Sequence, residues 1–312
     1  MNAGFVIYYA VGIAASLIAA VLVFELALRR GWKVPRWLLV ALIVFVPIFL
    51  FTAQLLKYAS LHMYADFSHW LQLLHSIAAT GKPYVLSHEF IMPGTLNYFS
   101  VHFVPLIYLF AIPFTLFPFP QTLIVMNVVL MSSAAIPLYL LARHRIGDRH
   151  FALFMAALLL WYPTFQYATL YEFEMLRFSI PMLLWMLYAW ERQRMGWYYA
   201  CMVLATLVRE EVGLTVGMFG VYVFLFEHRR AHGAATGVIG FGAFLLITQA
   251  LMPMLRIGEY VHVAAAGSFA QFGQTPLGII QGALAHPLFV LREVLDPVKL
   301  ASLGMLFVPV LL

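Results

Sequence analysis

The ionisable residues best suited to chemistry gather in one stretch of an otherwise apolar chain. Asp66, His69, Gln72 and His75 recur every three residues, which places them along one edge of a predicted helix. Asp66 has two compatible interpretations. It caps that helix at its N-terminus, or its carboxylate acts as a general base or as a cation ligand. The spacing leaves both open.

Histidine is frequent around this helix, but the spacing does not indicate a metal site. No pair has the i, i+4 spacing of a helical zinc site, and the single cysteine, Cys201, lies in a distant apolar segment. We predict no metal ligands and mainly hydrogen-bonding roles; the cofactor stays unknown, with a divalent cation as one possibility. Motifs for nucleotide binding, serine hydrolysis and zinc proteolysis do not occur. The histidines and the acid beside them are His62, His69, His75, His88, His102 and Glu89.

The composition indicates what kind of protein surrounds these residues. Apolar residues make up 64% of the chain and charged residues 10%, whereas soluble domains are roughly 45–50% apolar and about 25% charged. Blocks such as Trp37–Leu56 and Gln121–Ala142 approach the roughly 20 residues with which a helix crosses about 30 Å of hydrocarbon. Backbone amides find no other partners there, so such blocks must be helical. The sequence predicts an all-α, multi-pass protein of the cell membrane.

The net charge of +5 indicates topology rather than nucleic-acid binding. Most of the 18 Lys and Arg residues fall in short connections, and positive charge in short loops marks the cytoplasmic side. We predict that the lipid bilayer is a partner and that nucleic acid is not. The four basic clusters are Arg29–Arg36, Arg143–Arg149, Arg192–Arg194 and Arg229–Arg230.

Placing all four clusters in the cytoplasm predicts a bundle of about eight to nine transmembrane helices. His102–Phe117 is apolar but short and contains two prolines, so we interpret it as a re-entrant or interfacial helix. The first span is long and has no basic residue before it, so we interpret it as a retained helix rather than a signal peptide. The last span stops without a polar cap, so we expect the natural protein to continue. The predicted spans are Gly4–Leu28, Trp37–Leu56, Gln121–Ala142, Phe151–Tyr162, Met175–Trp190, Trp197–Val208, Val212–Phe226, Ala234–Leu255 and Ala301–Leu312.

This topology predicts a single membrane domain, residues 1–312, with two extracytoplasmic loops at residues 57–101 and 256–299. The first loop holds the amphipathic helix, which lies at the membrane interface with its apolar face against lipid or protein and ends at Gly81. The later loop is expected to hold two short helices. These are Pro276–Ala285 and Pro287–Leu295.

Charged residues within the apolar part of the chain need a reason, because placing one at membrane depth costs about 2.5–3.5 kcal/mol on insertion scales. Arg209 and Glu210 lie between two short apolar halves, and a structural ion pair and a functional site are equally open. Glu172 and Glu174 lie with Arg177 at a predicted outer tip, where a solvated loop is the simpler interpretation.

Four short motifs, in matching order and spacing, resemble a family of integral membrane proteins known as domain of unknown function 2079. That family is similar to the GT-C membrane glycosyltransferases, which take sugars from polyprenyl-phosphate carriers. The resemblance implies a GT-C-like fold, a polyprenyl-phosphate-linked sugar as partner, and sugar transfer at the extracytoplasmic face. The motifs are Asp66-Phe67-Ser68-His69-Trp70-Leu71-Gln72, His102-Phe103-Val104-Pro105, Tyr171-Glu172-Phe173-Glu174 and Arg209-Glu210-Glu211-Val212.

The same resemblance implies roles for single residues. Asp66 would be the general base, and Glu172 a second carboxylate or a cation ligand. Arg209 would bind the carrier phosphate through its fork of donors, and His102 would orient the donor or acceptor. The predicted substrate-binding residues are His102, Arg209, Gln72 and His69. Two other functions stay open: a transporter or flippase for a lipid-linked or small polar substrate, and a non-enzymatic membrane assembly protein.

Overall fold

Helices account for the regular structure of the protein. The computed structural model describes residues 35–227, 229–256, 269, 271–273, 276–297 and 299–300. These residues form helices and one isolated antiparallel bridge, between Tyr84 and Asn97, and no strand. The all-α prediction is therefore confirmed for the described chain, while the predicted spans Gly4–Leu28 and Ala301–Leu312 lie outside it.

The α-helices follow one another with short connections through most of the chain. Two 3-10 turns, Tyr98–Ser100 and Met175–Phe178, and one π-helical turn, Ile247–Leu251, occur among them. The helices are α1 Arg36–Ala59, α2 Ala65–Thr80, α3 Leu86–Ile91, α4 Ile107–Leu116, α5 Pro120–Ser133, α6 Ala135–Ile146, α7 Arg149–Trp161, α8 Pro163–Tyr171, α9 Ser179–Glu191, α10 Met195–Thr206, α11 Val212–Phe226, α12 Arg230–Leu246 (continued by Met252–Met254 after the π-helical turn), α13 Pro276–Ala285 and α14 Pro287–Val294.

Three helical stretches among the described residues are long and apolar enough to cross a membrane. They are α1, α5 with α6 (Pro120–Ile146), and α12 with its continuation to Met254. A fourth span results if α7 and α8, which are bent by 48° at their junction, cross together. The protein is thus a multi-pass membrane protein, but the predicted eight to nine spans are not found in the described part of the chain.

The difference from the predicted number has a local cause. Proline interrupts the apolar stretches: Pro163 begins α8, where its missing N–H is tolerated but the preceding helix ends. The stretch predicted as Met175–Trp190 starts with a 3-10 turn, which leaves only 13 residues in α9. Helices of this length fall below the roughly 20 residues that hydrocarbon requires. Hydropathy alone does not reveal such breaks.

The basic connections meet at one end of the helices. Arg145, in the last turn of α6, pairs with Glu191 at the end of α9, and Arg229, before α12, donates a hydrogen bond to Gln193. Each of the helices that leave this end carries its other terminus to the opposite side, where Glu172 and the connection from α10 to α11 lie. By the positive-inside rule, this basic end is the one expected to face the cytoplasm.

Helices α11 and α12 pack with their backbones in contact. A methyl group added at Gly220 would meet the backbone of Gly237, and one added at Gly240 would meet the backbone of Gly217. Small residues allow this approach, which replaces side-chain packing in an apolar environment. The pair consequently forms a closely packed hairpin that turns at the basic end, and Arg209 precedes α11 at the opposite end.

The described residues fall into two compact units, and Val40–Tyr260 is the larger one. The smaller unit includes α13 and α14, which begin at Pro276 and Pro287 as predicted; α14 ends at Val294, one residue before the predicted end. Proline at the first helical position costs no hydrogen bond, which explains why both starts are readable from the sequence.

Candidate functional site

The amphipathic helix predicted in the first loop is α2, and its apolar face packs against protein. Phe67, Trp70 and Leu74 are buried in the core of the larger unit. The helix ends at Gly81, whose φ of +71° is a left-handed conformation that glycine adopts without strain. Burial of this face fixes α2 in position, so the residues on its other edge are held at defined places.

The start of α2 differs from the prediction. Tyr64 is the N-cap and its side chain makes no capping bond, while Asp66 lies in the first helical turn. The prediction that Asp66 caps the helix is therefore wrong. Glu172 does so instead: its Oε1 accepts the backbone N–H of Tyr64, and its Oε2 accepts that of Phe67 at 2.6 Å. A carboxylate from a distant segment thus satisfies donors that every helix start leaves free.

Glu172 directly follows α8, and side chains bind the carbonyl groups at the C-terminus of that helix. Thr169 O accepts hydrogen bonds from Gln54 and from Asn127, and Tyr171 O accepts one from Lys57 Nζ at 2.5 Å. Many helices end at a glycine, where following backbone N–H groups bind the last free carbonyls. In α8 these side-chain donors bind the carbonyls instead. The C-terminus of α8 therefore points at the N-terminus of α2, and Glu172 joins the two.

The burial of Glu172 is complete. Its exposed fraction is 0%, and burial raises the pKa of its carboxyl, although the two backbone N–H groups and nearby Lys57 oppose that change. Both oxygens are occupied by the backbone of α2. Glu172 consequently holds the site together and does not face a ligand.

A second buried glutamate fastens the other end of the loop. Glu210 Oε1 lies 2.9 Å from His102 Nδ1, and Oε2 accepts the backbone N–H of Phe103 at 2.9 Å. Burial opposes the ionisation of Glu210, but the hydrogen bond from His102 and the charge of Arg209 hold the pKa of its carboxyl below the ordinary value. The loop between α1 and α4 is therefore attached near both ends to a buried carboxylate.

Between these two attachments lies a polar cavity of about 370 Å³, within the size range of about 300–1,000 Å³ typical of small-ligand sites. Four of the six residues predicted to form the site line it. Gln72 and Glu172 do not. The lining residues are Asp66, His69, Trp70, His88, Ile91, Met92, Tyr98, His102, Glu174 and Arg209.

Asp66 is the most accessible carboxylate of the cavity wall. Its side chain is 49% exposed, and its Oδ1 lies 3.9 Å from His69 Nδ1. Oδ2 accepts a weak hydrogen bond from the Tyr171 hydroxyl, at 3.4 Å. With neither oxygen tied to the backbone, Asp66 has the geometry to accept a proton or a hydroxyl group from a bound molecule.

Arg209 is held from several sides. Its Nη1 donates to Glu174 Oε1 at 3.1 Å and its Nη2 to His102 Nε2 at 2.9 Å. Its Nε lies 2.9 Å from a carboxylate oxygen of Glu211, in an ion pair without hydrogen-bond geometry. The guanidinium charge is thus balanced by acids in this structure. An anion would reach it by replacing Glu174.

The comparison with protein families fits this fold. The family described as "Predicted membrane protein (DUF2079)" matches residues 57–312, which include every residue that lines the cavity. The chain belongs to this family. The resemblance to this family that the four sequence motifs indicated is therefore confirmed. No curated protein and no solved structure matches the chain.

Gln72 of this DUF2079 protein has a structural contact in place of the expected ligand contact. Its Oε1 accepts hydrogen bonds from the backbone N–H of Ser87, at 3.0 Å, and from the Ser87 hydroxyl, at 2.9 Å. These bonds tie the start of α3 to α2. The edge of α2 therefore divides, with Asp66 and His69 toward the cavity and Gln72 toward α3.

Two polar residues of the DUF2079 cavity were not among the predicted site residues. Glu174 lies in the extended segment after α8, at the N-cap of the 3-10 turn Met175–Phe178, and its Oε1 accepts a hydrogen bond from Arg209. Its place in the motif Tyr171-Glu172-Phe173-Glu174 was the signal for it. His88 reaches the cavity because the loop folds back on itself at the bridge between Tyr84 and Asn97, a contact between distant residues that no local spacing indicates.

The histidines do not form a metal centre in the described part of the chain. His69 and His88 are in ring contact, with centroids 5.5 Å apart, but no three histidine, cysteine, aspartate or glutamate side chains there are placed to hold an ion. His88 Nδ1 lies 2.8 Å from Thr95 Oγ1, which itself donates to a backbone carbonyl. His88 therefore supplies the proton, and its Nε2 is left as an acceptor.

Proposed function

We propose that this protein is a membrane glycosyltransferase that uses a polyprenyl-phosphate-linked sugar at the extracytoplasmic face. The observation that carries the proposal is the position of Asp66. Its half-exposed carboxylate lines a polar cavity at the end of the helices opposite the basic connections. Membership of the DUF2079 family agrees with the membrane setting. Its resemblance to GT-C enzymes supplies the reaction class and the proposed GT-C-like fold.

In the proposed reaction Asp66 is the general base. An acceptor hydroxyl bound in the cavity gives its proton to the Asp66 carboxylate as its oxygen attacks the anomeric carbon. The new glycosidic bond forms while the bond from the anomeric carbon to the phosphate oxygen breaks. Polyprenyl phosphate leaves with the electron pair of that bond.

Arg209, His102 and His69 are the proposed substrate-binding residues. Arg209 would bind the phosphate oxygens once they displace Glu174, because its two donor nitrogens form a planar fork that matches a phosphate. His69 lies beside Asp66 and would contact the same hydroxyl group. Gln72 and Glu172 hold backbone groups, so we assign them to the support of the site.

The proposed location follows from the charge pattern. The two loops at residues 57–101 and 256–299 would lie outside the cell, and the basic connections inside. The cavity then opens at the face where lipid-linked sugars are used. Trp70, Ile91 and Met92 give it an apolar wall beside the polar one, as suits a substrate with a polar head and a lipid chain.

The test uses the purified protein in nanodiscs with undecaprenyl-phosphate-linked hexoses and pentoses, labelled in the sugar, and envelope glycans as acceptors. We expect Asp66→Asn to abolish label transfer, by a factor of about 10²–10⁴ as is usual for a lost general base. Glu191→Gln is the matched control, because it removes the same charge at the basic end. Transfer retained by the Asp66 variant would exclude its role, and no transfer by the unmodified protein with any donor would exclude the proposed function.

A further inference from the structure

Glu210 lies behind the cavity wall and acts on it only through other residues. Its side chain is 3% exposed, and it is not among the residues that line the cavity. One oxygen contacts His102 Nδ1 and the other accepts the backbone N–H of Phe103, each at 2.9 Å. His102, in turn, contacts Arg209. The three side chains thus form a series from the buried interior to the cavity.

The chemistry of this series determines where the protons are. A guanidinium has donors and no acceptor, so the 2.9 Å contact from Arg209 Nη2 requires His102 Nε2 to be unprotonated. The proton of the neutral ring then lies on Nδ1, where it is donated to the carboxylate of Glu210. A proton on Nε2 would set two donors against each other and break the contact with Arg209.

We propose that Glu210 is a positioning residue, which fixes His102 as its Nδ1–H tautomer and thereby holds Arg209 at the cavity wall. The inference deepens the proposed function and rests on it in one respect, the identity of the ligand that Arg209 binds. The backbone bond to Phe103 is part of the device, because it prevents the carboxylate from turning away. A histidine whose partner selects its tautomer in this way has one defined acceptor to offer.

Replacement of Glu210 by glutamine is informative because an amide has one oxygen for two donors. The backbone nitrogen of Phe103 always carries its proton, whereas the ring of His102 can move its proton from one nitrogen to the other. We therefore expect the amide oxygen to stay with Phe103 and the amide NH₂ to face Nδ1. The ring proton moves to Nε2, opposite Arg209, and the contact between His102 and Arg209 is lost.

The experiment is ¹⁵N NMR of histidine-labelled protein in nanodiscs at neutral pH, in which protonated and unprotonated ring nitrogens resonate far apart. A difference spectrum against His102→Asn assigns the signal. The unmodified protein is expected to show His102 with its proton on Nδ1, and Glu210→Gln to show it on Nε2. Glu211→Gln is the matched control: Glu211 pairs with Arg209 Nε, whereas the carboxylate that binds His102 Nδ1 and the Phe103 N–H is that of Glu210, so the tautomer should not change.

A proton on Nε2 in the unmodified protein would overturn the inference, and this measurement decides even if the Glu210 variant does not fold. Retention of the Nδ1 proton in a folded Glu210→Gln would overturn it as well. In the transfer assay the same variant should lose about 10- to 100-fold in kcat/KM, the usual effect of a lost supporting partner. The expected tautomers without any transfer by the unmodified protein would support the inference and reject the proposed function.

Discussion

The attachment of α2 to Glu172 makes a quantitative prediction about stability. Glu172→Ala removes two acceptors from the start of α2 and leaves the backbone donors of Tyr64 and Phe67 without them, of which the one at Phe67 is buried. Loss of an N-cap costs about 0.5–2 kcal/mol, and a buried donor without a partner costs about 1–3 kcal/mol. One cap and one unsatisfied donor together lower the free energy of unfolding by about 3 kcal/mol.

Glutamine at the same position separates the role of the oxygens from that of the charge. Because burial raises the pKa of Glu172, folding already disfavours its ionised form. Removing the charge alone should therefore cost little, and the amide keeps one oxygen for one donor. We expect Glu172→Gln to lose about 1 kcal/mol, the value of a single hydrogen bond.

The assay is unfolding by sodium dodecyl sulfate in mixed micelles, with hydrogen exchange at the amides of Tyr64 and Phe67 as a local probe. Glu191→Ala serves as control, because its ion pair with the exposed side chain of Arg145 contributes little to stability. Exchange at the two amides should accelerate most in Glu172→Ala. Equal losses for alanine and glutamine, or unchanged exchange, would refute the capping role.

Three further predictions concern sidedness, packing and pH. A maleimide applied from one side of oriented vesicles should modify either His69→Cys or Arg194→Cys but not both; reaction of both from one side would reject the topology. Gly220→Leu should cost about 1–3 kcal/mol or more through overpacking, whereas Gly242→Ala, with no atom within 4 Å of the added methyl, should be nearly neutral in the same unfolding assay. Folding lowers the pKa of Glu210, so the stabilisation by its carboxylate is complete above the ordinary pKa of 4.5 and is lost as the pH falls through the lower folded value. Glu210→Gln has no such carboxylate, and we expect it to lose less stability in acid than the unmodified protein. The same dependence of stability on acid pH in both proteins would contradict this.

The sequence was most informative where the signal is local. The apolar face of α2, its glycine stop at Gly81 and the proline starts of α13 and α14 all depend on residues within a few positions of one another. These features were predicted correctly. The true cap of α2 was not, because the bond from Tyr64 to Glu172 joins residues 108 positions apart. Local spacing favoured Asp66, which is near the helix start and chemically suited to capping.

The site was predictable in part for the same reason. Asp66 and His69 face the cavity because one helix presents them together. His102 and Arg209 line the same cavity, and His102 is held there by its contact with Glu210. That last contact was not foreseen, since nothing in the spacing of two segments reveals which side chain of one reaches the other. Among the described residues three to four stretches qualify as spans, fewer than predicted there, because apolar composition does not report where proline or a 3-10 turn divides a helix.

Three of the four hydrogen bonds by which Glu172 and Glu210 fasten the outer loop go to backbone N–H groups, those of Tyr64, Phe67 and Phe103. Every amino acid except proline supplies that group. At these two anchors the loop is therefore held by the path of its chain, while the buried side chains of Phe67, Trp70 and Leu74 supply its contacts with the core. The polar residues of the loop that face the cavity belong to neither group, so they can be exchanged while the anchors and the buried face of α2 stay as they are.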